Sequence, residues 1–129
     1  MRAHQISVFL ENTPGRLESL CEALSRAGVN LETITITENG DHGIVRMIVK
    51  NVDAGIDALK AAGFTPKKVD VLAVEVSDTP GALSVLLKKT RDAGVNVEYM
   101  YAMTKPNGTR PVMIMSFKDI DAAERILAQ

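Results

Sequence analysis

The sequence predicts an α+β fold made of two tandem copies of one unit, each an antiparallel sheet with helices on one face. Two observations predict it. The hexapeptide NTPGRL at residues 12–17 returns as DTPGAL at residues 78–83, sixty-six residues later. Apolar residues recur with a period of two in some segments and of three or four in others, which is typical of half-buried strands and amphipathic helices. We therefore divide the chain into a first unit of residues 1–69 and a second unit of residues 70–129.

The repeat extends well beyond the hexapeptide. Ten of the twenty-five residues in segment 12–36 are identical to their counterparts in segment 78–102, including Thr-Pro-Gly and Ala-Gly-Val-Asn. A second match joins VDAGIDAL at residues 52–59 to IDAAERIL at residues 120–127. The offset there is two residues larger, so TKPNGTRP is predicted to be a longer turn than TENGDHG. Similarity at a fixed spacing is the signature of a duplicated structural unit.

The first unit begins with a strand and a helix. HQISVFLE alternates apolar and polar residues, which predicts a strand. Thr13 stands where an N-cap residue belongs and Pro14 where the first helical residue belongs. A helix ending at Gly28 follows. Its predicted buried stripe consists of Leu17, Leu20, Cys21, Leu24 and Ala27.

The rest of the first unit predicts two strands, a helix and a last strand. NLETITITE and IVRMIVK are strands joined by a hairpin turn at Asn39-Gly40. A helix from about Val52 to Ala62 is closed by Gly63, and PKKVDV is available as a fourth strand. This order resembles the ferredoxin-like βαββαβ sandwich, in which two helices cover one face of an antiparallel sheet.

The second unit repeats this order but ends without a fourth strand of its own. Its elements are the strand VLAVEVSD, a helix from Pro80 to Ala93, the strands NVEYMYAM and PVMIMSF, and a helix from about Ile120. An uncovered edge strand invites pairing with another segment or chain.

Alternation along the strands of the second unit predicts an apolar sheet face opposite the helices. The helix-side residues are Val74, Val76, Met113, Met115 and Phe117, and the opposite face carries Tyr99, Tyr101, Val112 and Ile114. The equivalents in the first unit, Thr33, Thr35, Ile44 and Arg46, are more mixed. An apolar open face predicts a covering partner, most simply a second copy in a homodimer. The alternative is a register slipped by one residue, which would exchange the two faces.

Composition excludes several classes of protein. Of 129 residues, 46% are hydrophobic, enough for a packed core, and the net charge of −1 gives no general attraction to nucleic acid or membranes. There is no apolar run long enough to span a membrane and no apolar core of a signal peptide near the start. The single cysteine fits a reducing compartment, so we expect a cytoplasmic protein.

Nothing in the sequence predicts catalysis, a cofactor or a metal. Cys21 lies on the predicted buried stripe, where cysteine is usually inert. His4 and His42 have no Cys or His at metal-ligand spacing, and Asp41-His42 is explained by turn chemistry. The chain contains neither a P-loop nor a GxGxxG motif.

The repeated hexapeptide predicts an anion site at each helix start. The first amides of a helix lack partners, and the helix dipole leaves partial positive charge there. Gly15 has no side chain to keep a carboxylate away, while Asn12 and Asp78 can accept a hydrogen bond from an ammonium group. On this interpretation Ala at position 15 would favour the helix and obstruct the ligand. The alternative is that the motif only caps the helix and that the Asn after each Gly-Val belongs to a turn.

The segments FLENTPGRLESLCEALSRAGVNLETITI and VSDTPGALSVLLKKTRDAGVNVEYM together resemble two ACT domains, the small-molecule-sensing modules of amino-acid metabolism. The resemblance covers nearly the whole chain. It implies a regulatory, non-enzymatic protein that binds an amino acid at the β1–α1 loops between paired units. The contact positions that it implies are Asn12, Gly15, Arg16, Leu17 and Asn30 in the first unit and Asp78, Gly81, Ala82, Leu83 and Asn96 in the second.

Two further functions remain open on the sequence. One is the regulatory small subunit of an amino-acid biosynthetic enzyme such as acetolactate synthase, whose first unit can look similar, and it implies a catalytic partner. The other is an RNA-binding ferredoxin-like module that stacks bases on Tyr99 and Tyr101. The balanced charge and the absence of a Lys/Arg-Gly-aromatic motif argue against RNA. Because Asp78 would repel a ligand carboxylate, we expect the two sites to differ in ligand or one of them to be silent.

Overall fold

The computed structural model describes residues 2–103 and 110–128, and it has the predicted tandem ferredoxin-like architecture, with ten elements in the order βαββαβαββα. The predicted long turn TKPNGTRP lies almost wholly outside the described residues. The elements are β1 (Arg2–Glu11), α1 (Arg16–Arg26), β2 (Leu31–Asn39), β3 (His42–Val49), α2 (Val52–Ala61), β4 (Pro66–Glu75), α3 (Ala82–Asp92), β5 (Val97–Met103), β6 (Val112–Phe117) and α4 (Ile120–Leu127).

The chain forms two compact units. The first contains residues 4–69, and the second contains residues 2–3 together with residues 70–128. None of the helices in the described residues is long and apolar enough to cross a membrane.

In the first unit the strands lie in the order β2-β3-β1, all antiparallel, with Ile6 opposite Met47 and Val8 opposite Val45. The alternation in β1 turns every second residue toward the helices, because successive strand side chains point to opposite faces. The core cluster consists of Ile6, Val8, Leu10, Leu20, Ala23, Leu24, Val29, Val45, Met47, Val49, Leu59 and Phe64.

The helix α1 buries a narrower stripe than the sequence predicts. Leu20 and Leu24 are buried and Cys21 is half-buried, but Ala27 is exposed and Leu17 is 37% exposed. The predicted stripe was too wide because Leu17 lies in the first turn and Ala27 is the C-cap residue, where the helix no longer faces the core.

In the second unit the strands lie in the order β4-β6-β5, with Leu72 opposite Met115 and Met100 opposite the same Met115. The register predicted for the helix side is confirmed for Val74, Met113, Met115 and Phe117. Val76 lies beyond the end of β4 and is half-buried. The core cluster consists of Leu72, Val74, Met115, Phe117, Ala123 and Leu127.

The prediction that the face opposite the helices is open is wrong at its centre. Ile114 is fully buried and Val112 is 5% exposed in the single chain, while Tyr99 and Tyr101 are half-buried. A single chain therefore does not leave Ile114 in water. The homodimer stays a prediction, but it needs a different surface to support it.

The segments PKKVDV and VLAVEVSD form one strand rather than two. β4 runs without interruption from Pro66 to Glu75, with its first residues in the first unit and the rest in the second. No Gly or Pro follows Pro66 in this segment, and valine is frequent in it, so nothing ends the strand where the repeat ends.

The first residues of β1 belong to the second unit. The Arg2 guanidinium donates to Asp121 at 2.7 Å and to Glu124 at 3.0 Å, both on α4, and lies 3.7 Å from the Asp70 carboxylate. These hydrogen bonds raise the pKa of Arg2, and the hydrogen bond from Arg2 lowers the pKa of Asp121. The start of the chain thus supplies a polar clamp that the repeat itself does not encode.

We expect Arg2→Gln to destabilise α4 and to make the second unit less sensitive to acid. Because the pKa of Asp121 is lowered in the folded state, its contribution is present above the usual aspartate value of about 3.9 and is lost as the pH falls further. Hydrogen exchange of the α4 amides, compared at pH 7 and pH 3, checks this. Arg26→Gln is the control, since Arg26 pairs with Glu22 on its own helix at 3.6 Å. Equal protection of α4 in wild type and Arg2→Gln at pH 7 would contradict the clamp.

Candidate functional site

The repeated Thr-Pro-Gly forms a tight turn just before each helix. The Arg16 amide donates to the Thr13 carbonyl at 3.4 Å, and Gly15 between them has φ +89° and ψ −14°. Proline at the second position and glycine with positive φ at the third are the features of a type II turn. The second unit is built in the same way, with the Ala82 amide on the Thr79 carbonyl at 3.2 Å and Gly81 at φ +84°.

The helices therefore start two residues later than the sequence predicts. Gly15 and Gly81 are the N-cap residues, whereas Thr13 was predicted to be the cap and Pro14 the first helical residue. The prediction was wrong because Pro14 also suits the second position of a type II turn, and the glycine after it completes that turn. An added β-carbon at Gly15 would meet no atom within 4 Å, so backbone conformation alone explains the glycine.

The start of each helix has a positive electrostatic potential and no capping side chain. No side chain in the described part of the chain caps α1 or α3. The Gly15 carbonyl accepts hydrogen bonds from both the amide and the hydroxyl of Ser19, at 3.0 and 2.9 Å. The amides of Arg16 and Ser19 have acceptors in the chain, and the amide of Leu17 between them is available to an external acceptor. An anion is what such a surface attracts.

Asn12 connects this turn to the β2–β3 hairpin. Its backbone amide donates to the Asp41 carbonyl at 2.8 Å, and its side-chain Nδ2 donates to the Gly40 carbonyl at 3.0 Å. The hairpin loop is Gly40-Asp41, one residue later than the predicted Asn39-Gly40 turn. One N–H of the Asn12 side-chain amide is used in this way, and its Oδ1 is the atom that can accept a hydrogen bond from a ligand. Asp78 is exposed at the same position of the second unit, and a carboxylate has no N–H with which to repeat this tie.

The Arg16 side chain contacts two residues of the first unit that are distant from it in sequence or lie on β1, Phe64 and Glu11. Its guanidinium carbon is 4.8 Å from the centre of the Phe64 ring, and its Nε is 3.9 Å from the Glu11 carboxylate. That Nε is buried and has no hydrogen-bond acceptor among the described residues, although 38% of the side chain is exposed. A cation over an aromatic face is stabilised by the charge distribution of the ring. Sequence reasoning missed Glu11 and Phe64, and no local motif marks them.

The second unit has an alanine where the first has Arg16. Ala82 lines a cavity of about 300 Å³ between the end of β4 and α3, with Glu75, Ser77 and Lys89 also at its wall. The two helix starts share a backbone but differ in charge and shape. This difference supports the expectation that the two sites bind differently.

Within one unit the predicted site residues fall into two groups. Asn12, Gly15, Arg16 and Leu17 lie at the start of α1, and Asn30 lies beyond its end, where its carbonyl accepts from the Lys50 amide at 3.1 Å. The eleven residues of α1 span about 16 Å. Asp78, Gly81, Ala82 and Leu83 are separated from Asn96 by α3 in the same way. One small ligand cannot contact both groups of a single unit.

Reactive side chains lie away from these turns. Cys21 is half-buried against the first core, and burial raises the pKa of its thiol, which lowers the thiolate fraction at neutral pH. His42 is exposed at the start of β3, with its ring 6.1 Å from that of Phe9. Among the described residues no three His, Cys, Asp or Glu side chains lie close enough to hold a metal ion.

The whole chain matches one known family. Residues 1–128 match the family described as an ACT domain pair. The chain belongs to the ACT domain family. The resemblance seen in the two repeated segments is thereby confirmed, and regulation is the role of this family.

Solved structures agree with the assignment. A protein from Bacteroides thetaiotaomicron is 35% identical, with 99% of this chain and 88% of that chain covered and a TM-score of 0.91. The ligand-free regulatory subunit of aspartate kinase from Thermus thermophilus is 18% identical over 98% of this chain and 91% of that chain, with a TM-score of 0.64. The regulatory subunit of aspartate kinase from Thermus flavus is 16% identical over 99% and 91%, with a TM-score of 0.61. The two subunits share the fold of this ACT pair. A search of curated proteins found none that matches the chain.

Proposed function

We propose that this ACT domain pair is a non-catalytic regulatory protein that binds an amino acid at its β1–α1 and β4–α3 turns. The observation that carries the proposal is the uncapped helix start repeated in both units, each behind a type II turn. A free carboxylate is a small anion that accepts hydrogen bonds from such amides. The ligand-contact positions are the ten residues named above on the family resemblance.

The surroundings of the first turn suit the other end of an amino acid. Asn12 uses its Nδ2 on the Gly40 carbonyl, so Oδ1 is the acceptor for an ammonium group. In the second turn the Asp78 carboxylate accepts the ammonium more strongly but repels the carboxylate. We propose that the first unit holds the tighter site, because only Asn12 can also donate a hydrogen bond that fixes the turn against the neighbouring hairpin.

The second polar contact comes from a neighbouring ACT unit. Asn30 and Asn96 lie about 16 Å or more from the turns of their own units, as the length of α1 requires. Paired units whose helices run in opposite directions would bring one unit's turn beside another unit's helix end. This is the arrangement in which an amino acid is held between units rather than inside one.

We further propose that the protein acts on a catalytic partner of amino-acid metabolism. The similar Thermus structures are named as regulatory subunits of aspartate kinase. A similarity at 18% and 16% sequence identity supports the fold alone. Which enzyme is the partner is a question for experiment. Capture of a partner from a cell extract on the tagged chain tests this proposal. The same experiment tests the alternative that the chain is the small subunit of another biosynthetic enzyme such as acetolactate synthase.

A thermal-shift screen of the twenty amino acids tests the proposal. An amino acid present at 100 times its Kd should raise the free energy of unfolding by about 2.7 kcal/mol. We expect one amino acid, or a chemically related group, to stabilise the protein, and isothermal titration should give a saturable isotherm for the same compound. The absence of binding by both methods at millimolar concentrations of all twenty would overturn the proposal.

A further inference from the structure

A cavity lies beside the Thr-Pro-Gly turn of the second unit. It measures about 300 Å³, at the small end of the roughly 300–1,000 Å³ that is usual for small-molecule pockets. Ser77 and Ala82, the residues that flank the turn at residues 78–81, both line it, so it adjoins the start of α3. Its other lining residues are Glu75, Val76, Val85, Leu86 and Lys89. The cavity can hold a group of about the size of one side chain.

The wall of this cavity is apolar between two opposite charges. Val76 and Leu86 are half-buried, and Val85 is 64% exposed. Glu75 and Lys89 are exposed at the wall and have opposite charges, so together they give the cavity no net charge. The favourable interaction that this wall offers to a ligand is therefore the removal of apolar surface from water.

The first unit has a side chain of its own at the corresponding position. Displaced by the sixty-six residues of the repeat, Ala82 corresponds to Arg16, and Ser77 corresponds to Glu11. The Arg16 guanidinium carbon is 4.8 Å from the centre of the Phe64 ring, and its Nε is 3.9 Å from the Glu11 carboxylate. The first unit thus covers this position with a long side chain, whereas the side chain of Ala82 ends at the β-carbon.

We propose that the second site selects an amino acid with a large apolar side chain, aromatic or branched aliphatic, which enters the cavity beside Ala82. This inference rests on the proposed function, because the turn has to hold the charged groups of the amino acid. The Leu83 amide stands at the position of the Leu17 amide and meets the carboxylate, and Asp78 accepts from the ammonium group. The side chain is then the part of the ligand that reaches the apolar wall.

The same wall disfavours a charged ligand side chain. A cationic side chain would meet Lys89, and an anionic one would meet Glu75 and Asp78. Like charges brought together in a site cost free energy. An apolar side chain avoids this cost, and its burial is favourable in proportion to the area removed from water. That burial offsets the repulsion between Asp78 and the ligand carboxylate, whereas a ligand as small as alanine leaves Val85 exposed.

Nuclear magnetic resonance titrations of the labelled protein test the selectivity at each turn separately. The Leu83 amide and the methyl groups of Val85 and Leu86 report on the second site. The Leu17 amide reports on the first. With L-leucine, L-phenylalanine and L-alanine as ligands, we expect the second site to bind the two larger amino acids about tenfold or more tightly than alanine, since even one methylene group in an apolar pocket changes affinity by roughly tenfold to 200-fold.

The variant Ala82→Arg places in the second unit the side chain that the first unit has. We expect it to raise the Kd of leucine and phenylalanine at the second site by about tenfold, to that of alanine, and to leave the titration of the Leu17 amide unchanged. The matched control is Ala61→Arg, which adds the same side chain at an exposed position at the end of α2. We expect this control to keep the wild-type preference. Circular dichroism of both variants establishes that they are folded.

Three results would overturn the selectivity and leave the proposed function standing. They are equal Kd values of alanine and leucine at the second site, an unchanged preference in Ala82→Arg, and a response of the Leu17 amide without one of the Leu83 amide. Failure of the proposed function gives a different result, in which none of the twenty amino acids shifts either amide. That result would overturn this inference as well.

Discussion

Gly15→Ala should lower the free energy of unfolding by about 1–2 kcal/mol, since an L-residue pays roughly this for a left-handed backbone. Gly15 has φ +89°, and the space around it is open, so conformation and not crowding causes the loss. Gly15→Asn should cost less because asparagine tolerates this region, and Gly15→Val should cost more because it is β-branched. Urea denaturation of the three variants measures the order.

The same substitution should reduce the response to an amino acid if the turn is a binding site. A displaced turn moves the first amides of α1 away from the ligand carboxylate. Gly63→Ala is the control for strain, because Gly63 also has φ +89° with open space around it and ends α2 instead of starting α1. We expect Gly63→Ala to be destabilised to a similar degree and to keep its ligand-induced thermal shift. Unaltered shifts in both Gly15→Ala and Gly81→Ala would exclude binding at the two turns.

The expected loss of stability in Gly15→Ala reverses the gain in stability that follows from the sequence. Sequence reasoning placed Gly15 inside the helix, where alanine is favoured by up to about 1 kcal/mol. The sequence Thr-Pro-Gly is compatible with a helix capped by Thr13. It is equally compatible with a type II turn after which the helix begins at Arg16. The two alternatives differ only in the φ of one glycine, and glycine itself accepts either sign. The motif was therefore visible in the sequence, but its conformation was not.

The fold itself could be predicted because its signals are local and occur twice. The alternation in β1, the periodicity of the helices and the glycines that end them each specify an element without reference to the rest of the chain. The burial of Ile114 could not be predicted in this way, because alternation assigns a residue to a face but does not reveal what covers that face. The continuous β4 was missed for a related reason. A boundary between repeats need not be a boundary between strands.

The candidate site was predicted in part. The two turns and the two asparagines after the helices were found, since the repeat marks them. The packing of Arg16 on Phe64 was not, because these residues are distant in sequence and no motif links them. The clamp of Arg2 on α4 is a contact between opposite ends of the chain, and periodicity carries no information about such pairs.

Asn12→Asp should weaken amino-acid binding at the first site by about fivefold to tenfold, since a charge near a ligand carboxylate on an exposed loop costs about 1 kcal/mol. It should also lower the free energy of unfolding by about 0.5–1.5 kcal/mol, because the Nδ2 donor to the Gly40 carbonyl is lost. Isothermal titration and urea denaturation measure the two effects. The converse change, Asp78→Asn, should strengthen binding at the second site.

Asn12→Ala separates the charge from the hydrogen bond. Alanine loses the bond to the Gly40 carbonyl, as Asp does, but brings no negative charge to the ligand. We therefore expect both variants to lose similar stability, with Asn12→Asp binding more weakly than Asn12→Ala. High salt should narrow the gap in affinity between them, because exposed charges are screened over about 10 Å at 0.1 M ionic strength. Equal affinities of the Asp and Ala variants at low salt would mean that no ligand carboxylate lies near this turn, and the amino acid would then have to bind elsewhere or in another orientation.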